Sequence, residues 1–287
     1  MIHLRNHWPL AAAAALLLAS CGGLNAQTDR STPTEVAVSS SSAGRIRTEV
    51  YADVLSDYVH PESTFVDYEA LQANRAQLDT YIDDLAALDE ATYESWSEAE
   101  QIAYWVNAYN AITLKSIIDQ TPIKPSIKDI IGVWRIRRHA IFGGNKTLNN
   151  IEHDVLRVDF DEPRIHAALV CAAVSCPPLR TEPFTGENLD AQLDDQVEQW
   201  LAKEDGLRID REEGVVYLSK IFDWFTVDWV PSYGLDEGDN RFTGNDKERA
   251  VLNFVAGYVN ESDREFLEAG DYRIQYFDYD WSLNIQS

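Results

Sequence analysis

The chain is short of basic residues, of cysteine and of long apolar runs. Lys and Arg number 24 against 48 Asp and Glu, a formal net charge of −24. A surface of that sign is repelled by phosphate backbones and by anionic headgroups, which disfavours non-specific nucleic-acid binding, and no nucleic-acid partner is expected. Beyond the N-terminus no apolar stretch approaches the roughly 20 residues that a membrane-spanning helix needs. Only three Cys are present, Cys21, Cys171 and Cys176. That number is too low for a disulfide framework. There is no internal repeat and, past residue 44, no second linker-like stretch. What is abundant is apolar and aromatic: 45% hydrophobic residues, with 8 Trp, 13 Tyr and 10 Phe. This composition belongs to a chain that buries a core.

The N-terminus is organised differently. Met1–Trp8 carries Arg5 and no acid, and Leu10–Ala19 is a short apolar run. Its length suits the core of a signal peptide, about 7–15 residues, and not a membrane span. It ends in Leu18-Ala-Ser-Cys21, which resembles a bacterial lipobox. The resemblance implies cleavage before Cys21, lipid attachment to the Cys21 sulfur, and a membrane as partner through that anchor. Several acyl chains, each gaining about 0.8 kcal/mol per buried methylene, would make the anchoring durable. Gly22 follows Cys21 where Asp would signal retention, so the expected location is the outer membrane, facing the periplasm. Residues 1–20 are thus expected as leader and 21–44 as lipidated Cys and tether. The tether is rich in Ser, Thr and Pro; as a flexible coil it would span about 25–30 Å. Residues 45–287 are expected to form one globular domain.

Apolar spacing within that domain predicts helices over Arg45–His60, Asp67–Leu88 and Ser97–Gln120. At 100° per residue, Asn107 and Asn110 of the third fall in the middle of its apolar face. That helix is therefore read as buried and central, its two amides either tied to neighbouring loops or lining a pocket. A stretch holding six of the Lys and Arg but one acid follows, Lys124–Lys146. Within it a hairpin is expected, turning at Gly143-Gly144-Asn145. Leu148–Arg157 reads as a short helix, and Arg164–Cys171 as either a strand or a buried helix. Gly186–Lys203 reads as an amphipathic helix, and Leu207–Asp210 with Val215–Leu218 as a second hairpin. Ser219–Val230 is an aromatic helix or loop, Asn245–Asn260 a helix, and Tyr272–Tyr279 a last strand. Helices and short strands without βαβ alternation predict an α+β fold, largely helical, with a small antiparallel sheet or hairpins.

Five ordered segments then stand together: Ala103-Tyr-Trp-Val-Asn-Ala-Tyr-Asn-Ala111, Asn150-Ile-Glu-His153, Pro163-Arg-Ile-His166, Cys171-Ala-Ala-Val-Ser-Cys-Pro-Pro-Leu179 and Leu218-Ser-Lys-Ile-Phe-Asp-Trp224. In that order they resemble the domain-of-unknown-function family numbered 547. The resemblance runs from about Glu94 to Trp229, with Tyr279–Asn284 as a tail. It implies no particular activity. The family includes exported bacterial proteins and plant proteins, and the second Cys is Ser in plant relatives, so the family fold does not require it.

The thiols are the most reactive groups in the sequence. A Cys nucleophile needs a nearby base or an electropositive pocket to ionise near neutral pH. The candidates are Cys171 and Cys176, with His166 or His153 as base and His139 as another donor of an imidazole. His166 precedes Cys171 by five residues, which on a strand means opposite faces and on a helix about 140°. Neither regular structure pairs them. Three other readings stay open: Cys171 as a buried small hydrophobe, a Cys171–Cys176 disulfide closing a small loop, and a metal set with His153 and His166. The spacing of that set matches no common zinc module, so neither metal nor cofactor is expected. Candidate ligand-binding residues are Asn107, Asn110, Arg138, Arg164, Lys220 and Asp223, the arginines as donors to a carboxylate or phosphate. Lys220 and Asp223 equally suit a local ion pair, and Arg164 suits pairing with protein carboxylates. The preferred reading is an envelope lipoprotein that binds a partner protein or an anionic small molecule. The alternative is a thiol-dependent hydrolase or transferase.

Overall fold

The computed structural model describes residues 45–286. The expected leader, Cys21 and the tether lie outside these residues.

Helix α1 (Thr48–Tyr58) packs on α3 (Ala76–Ala87) through the stacked rings of Tyr51 and Tyr81, centroids 4.5 Å apart. Between them runs α2 (Tyr68–Ala73), capped by Asp67, whose carboxylate accepts from the Ala70 N–H. The single helix expected over Asp67–Leu88 is therefore two. Asn74 ends α2 by turning its amide back to the Ala70 carbonyl at 3.0 Å. A side chain of this kind competes with the helical backbone for its own hydrogen bonds. Helix α4 (Glu90–Glu94) leads to Ser97, which caps α5 (Glu98–Ile118) in a reciprocal capping box with Glu100. Such a box satisfies two of the donors left open at a helix start. Helix α5 is buried along nearly its whole length; Val106, Ile112 and Ile117 are among its solvent-free side chains. Each such side chain contributes about 1.5–3 kcal/mol relative to exposure.

The hairpin β1 (His139–Ile141) and β2 (Gly144–Lys146) follows. Its turn lies at Phe142–Gly143, one residue earlier than the Gly-Gly-Asn pattern suggested, with Gly143 at φ +73°. Residues Asn150–Leu156 wind as a π-helix, continued by the α-turn α6 (Arg157–Asp159). Segment 164–171 is neither the strand nor the full helix expected. It is a short helix α7 (Ile165–Ala168) that gives way to extended backbone at Leu169. Asn110 explains the change: its amide donates to the Ala168 carbonyl and accepts from the Val170 N–H, both at 2.9 Å. The side chain supplies what a neighbouring strand would.

Helix α8 (Leu189–Leu201) precedes the antiparallel pair β3 (Leu207–Asp210) and β4 (Val215–Leu218). Helices α9 (Lys220–Trp224) and α10 (Val230–Tyr233) are joined by a 3₁₀ turn over Thr226–Trp229. Asn245 caps α11 (Asp246–Ala256), and Asn260 starts α12 (Glu261–Ala269), a helix the apolar pattern did not show. Strand β5 (Arg273–Tyr276) joins β4 in parallel. The three-stranded sheet is thus mixed, where an antiparallel one was expected. The α12 segment between the strands makes this possible, because a parallel pair needs a long crossover and not a hairpin.

The fold is α+β and largely helical. Its core has two clusters. One surrounds α5, and the other packs α8, α11 and the sheet around Trp200, Phe222 and Trp229. Tyr279 packs against both. No helix among the described residues is long and apolar enough to cross a membrane.

Candidate functional site

A cleft of about 370 Å³ opens where the two clusters meet. Helix α5 contributes Tyr109, and the π-helix contributes Glu152 and His153. Helix α7 and the extended segment after it contribute His166, Leu169 and Cys171. Trp224 and Phe225 come from α9 and its end, Trp134 and Arg135 from the basic stretch, and Tyr279 and Trp281 from the C-terminal segment. A π-helix inserts an extra residue into each turn and is frequent at functional sites. Here it lies where Glu152 and His153 reach the cleft.

Aromatic rings form a ladder along the opening. Trp281 meets Trp134 at 5.9 Å, Trp224 at 5.8 Å and Tyr279 at 4.6 Å between centroids. Trp224 also meets Tyr279 at 4.8 Å and is itself exposed. Lys128 holds its ammonium 5.0 Å over Trp281.

Behind the ladder sits a charged relay. Arg157 grips Asp228 with two hydrogen bonds, Nε to Oδ2 at 2.5 Å and Nη2 to Oδ1 at 2.8 Å. His166 Nε2 meets Asp228 Oδ2 at 2.7 Å. Burial pushes the Asp228 carboxyl up, but the hydrogen bonds from His166 and Arg157 outweigh it and hold the group well below the carboxylate range. Asp228 is therefore an anion that only accepts, which makes His166 Nε2 the donor of this bond. The ring stacks on Phe225 at 4.3 Å. Arg157 also meets His153 Nδ1 at 2.5 Å; a guanidinium has only donors, so that nitrogen accepts.

Cys171 and Cys176 are joined as a disulfide, with Cα atoms 6.2 Å apart. That separation is within the usual span of about 4.4–6.8 Å. Cys171 is half-buried on the cleft wall, whereas Cys176 is buried. Tyr279 Oη lies 3.2 Å from each sulfur. Burial pushes the Tyr279 phenol far up, assisted by the Asp205 and Glu152 charges, so it stays protonated and donates.

The fold thus gathers Cys171, His166 and His153 into one cleft. The five-residue spacing argument does not hold here, because α7 stops at Ala168 and neither regular geometry spans His166 to Cys171. No hydrogen bond joins Cys171 to either imidazole among the described residues; the side-chain hydrogen-bond partner of its sulfur there is Tyr279. His139 does not line this cleft, and its Nε2 is buried with no hydrogen-bond partner among the described residues. No group of three or more His, Cys, Asp or Glu able to hold a metal is found among the described residues.

The other candidates sit elsewhere. Arg164 is held by Glu162, Asp190 and Asp194 at 2.6–2.9 Å. Lys220 pairs with Asp223 at 2.6 Å. Arg138 donates to the Asn145 carbonyl across the β hairpin. Asn110 holds residues 168 and 170, as described above. Asn107 bonds the Phe184 N–H and carbonyl at 2.9 and 2.8 Å and borders a separate cavity of about 390 Å³. The cleft residues that the sequence left unmarked are Phe225, Tyr279 and the Trp134–Trp281 pair, with Arg157 and Asp228 behind them around a neighbouring cavity that His166 also borders. Only the density of Trp and Tyr around 224 and 279–281 signalled them.

Residues 93–201 match the model of a family described as "Protein of unknown function, DUF547". The matched segment contains α5, the π-helix, His166 and both cysteines of the disulfide. Trp224, Asp228 and Tyr279 lie beyond it. No curated protein and no solved structure matches the chain.

Proposed function

We propose that the protein is an exported lipoprotein, anchored through Cys21 in the outer membrane and facing the periplasm, whose domain binds an organic anion with a flat apolar body in the Trp224–Trp281 cleft. Two features support the address. One is the lipobox-like Leu18–Cys21 sequence. The other is the oxidised Cys171–Cys176 pair, which belongs to compartments outside the reducing cytoplasm.

The observation that carries the binding reading is the aromatic ladder over a concave site with Arg135 at its edge. Flat apolar faces offer a ligand about 0.5–1.5 kcal/mol per stacked pair beyond the area they bury. Arg135 makes no ion pair among the described residues, so it is available to a carboxylate or phosphate. Glu152, Tyr109 and His153 provide acceptors and donors at the same site. Mostly apolar walls with a few convergent polar groups are what small-molecule sites share.

The test is calorimetric titration of the full-length protein in detergent with 2-naphthoate, and with neutral 2-naphthylmethanol as comparison. Saturable binding is expected, tighter for the carboxylate. Trp224→Ala weakens both compounds, and Arg135→Ala removes only the preference for the anion. Absence of saturable binding, or binding indifferent to Trp224→Ala, overturns the reading.

A thiol-dependent hydrolase or transferase is a second reading, favoured by one observation: Asp228 orients His166 in the same cleft as Cys171. It requires the reduced chain, because a disulfide sulfur is no nucleophile toward an acyl group. Its test is ester hydrolysis by reduced against oxidised protein. Activity present only after reduction, and lost in Cys171→Ala and in His166→Ala, would establish it; equal rates in both redox states would sink it.

A further inference from the structure

We propose that the Cys171–Cys176 disulfide is an exchangeable one that oxidises small thiols and dithiol peptides, with Cys171 the sulfur attacked and Cys176 the sulfur that leaves. The inference goes beyond ligand binding and does not depend on what fills the cleft.

The two sulfurs differ in access. Cys171 faces the cleft, whereas Cys176 is buried behind it. An incoming thiolate therefore meets Cys171. They differ also in what surrounds them. The Cys176 sulfur accepts the Cys171 N–H at 3.0 Å and the Ala173 N–H at 3.4 Å, donors that the Cys171 sulfur lacks among the described residues, while the Tyr279 hydroxyl stands 3.2 Å from both sulfurs and turns to Cys176 once that sulfur is the anion. Three donors converging on one sulfur stabilise it as thiolate, and a thiol of lower pKa is the better leaving group. Access and leaving ability thus point to the same direction of cleavage.

The loop between the cysteines keeps its shape without the bond. Ala173 bridges to Leu283, the Val174 N–H donates to the Ser282 carbonyl at 2.9 Å, and the Ala172 carbonyl accepts from Asn284 at 3.1 Å. Lys203 ties the Val174 and Cys176 carbonyls together at 2.7 and 2.5 Å. A loop so held returns the two sulfurs to each other after opening. A bond needed only for stability would gain little from one sulfur in a cleft and a donor set around the other.

A substrate thiolate forms a bond to Cys171 Sγ while the Sγ–Sγ bond breaks, and the electron pair leaves on Cys176 Sγ. The substrate's second thiol, or for a monothiol a second molecule, then attacks as thiolate the substrate sulfur of the mixed disulfide and expels Cys171 thiolate. The substrate departs oxidised by two electrons and the protein holds both cysteines reduced. Exchange with a low-molecular-weight disulfide in the reverse sense restores the starting state.

The experiment uses the full chain carrying Cys21→Ala, so that only these two thiols report. The oxidised folded protein is exposed to millimolar glutathione at neutral pH, quenched with acid and mapped by peptide mass spectrometry. Glutathione is expected on Cys171 and not on Cys176, within minutes and below the urea concentration that unfolds the chain. Cys176→Ser, which cannot close the bond, accumulates the Cys171 adduct when oxidised glutathione is supplied instead, one glutathione leaving as thiolate for each adduct formed. Tyr279→Phe slows opening about tenfold, through loss of a hydrogen bond to an anion, with an unchanged melting curve as the control for folding. A disulfide that resists glutathione until urea unfolds the protein, a first adduct on Cys176, or an opening rate unaffected by Tyr279→Phe overturns the proposal. The wild-type trapping result decides even if a variant folds poorly.

Discussion

Asp228 and His166 are 62 residues apart in the chain, yet Oδ2 of one and Nε2 of the other meet at 2.7 Å, with Arg157 closing the opposite side of the carboxylate. This contact fixes the imidazole's donor nitrogen and ties α7 to the 3₁₀ turn before α10. Two elements from different core clusters are joined at the edge of the cleft.

The first prediction follows from that carboxylate. Asp228→Asn removes the charge from two charge-assisted partners, a loss of about 1.5–3 kcal/mol. The folded-state pKa of Asp228 lies below the ordinary value of about 4, so its contribution is complete above that pH and is lost as pH falls toward the folded value. Urea denaturation from pH 7 to pH 2.5 should show the stability gap between wild type and variant narrowing below pH 4. A gap constant across that range would mean the carboxylate's charge does not support the fold.

Asn107→Leu should destabilise the protein although it adds apolar surface. The variant abandons the Phe184 N–H and carbonyl inside the core. Each buried group left unpaired costs about 1–3 kcal/mol. Asn110→Leu should cost as much, and it should also loosen the backbone leading to Cys171. Thermal melting of both variants is the check, and an unchanged midpoint would contradict it.

Arg164→Ala should destabilise without touching the cleft. Its guanidinium sits among three carboxylates in a chain of net charge −24, and removing it leaves them facing one another. The expected loss is about 1–3 kcal/mol at low ionic strength, smaller in molar salt because the partners Asp190 and Asp194 are largely solvated. Binding of 2-naphthoate should be unaffected. Weakened binding would place Arg164 in ligand recognition.

Cys21→Ala should release the protein from the membrane fraction, since the expected lipid has no other attachment point. Fractionation with detergent extraction checks this. A variant still membrane-bound and cut at the same bond would contradict the lipobox reading.

The part of this fold that could be read from the sequence is the part stabilised locally. Helix α5 declares itself through long apolar spacing and a Ser97–Glu100 capping box, and the buried place of Asn107 and Asn110 follows from its phase. The β3–β4 hairpin was legible from two apolar runs around Glu212-Glu213-Gly214. What was not legible depends on distant partners. Segment 164–171 gave an even choice of helix or strand because Asn110, far earlier in the chain, dictates where α7 ends. The parallel pairing of β5 depends on α12, whose sparse apolar residues bury little beyond Leu267. The cleft was legible only as ingredients. His166 and Cys171 could be named, but Asp228 and Tyr279 join them from residues 62 and 108 positions away. No local pattern encodes such an encounter.

The central claim is that the cleft around His153, His166 and Cys171 is where this protein meets its ligand. Histidine-selective proton–carbon NMR of the full-length chain tests it most directly, because His153 and His166 line the cleft while His60 and His139 do not. On titration with 2-naphthoate, the His153 and His166 ring signals should move together and saturate with one affinity, while those of His60 and His139 stay in place. Movement at His60 or His139 alone, or no saturable movement at any histidine, would contradict the account.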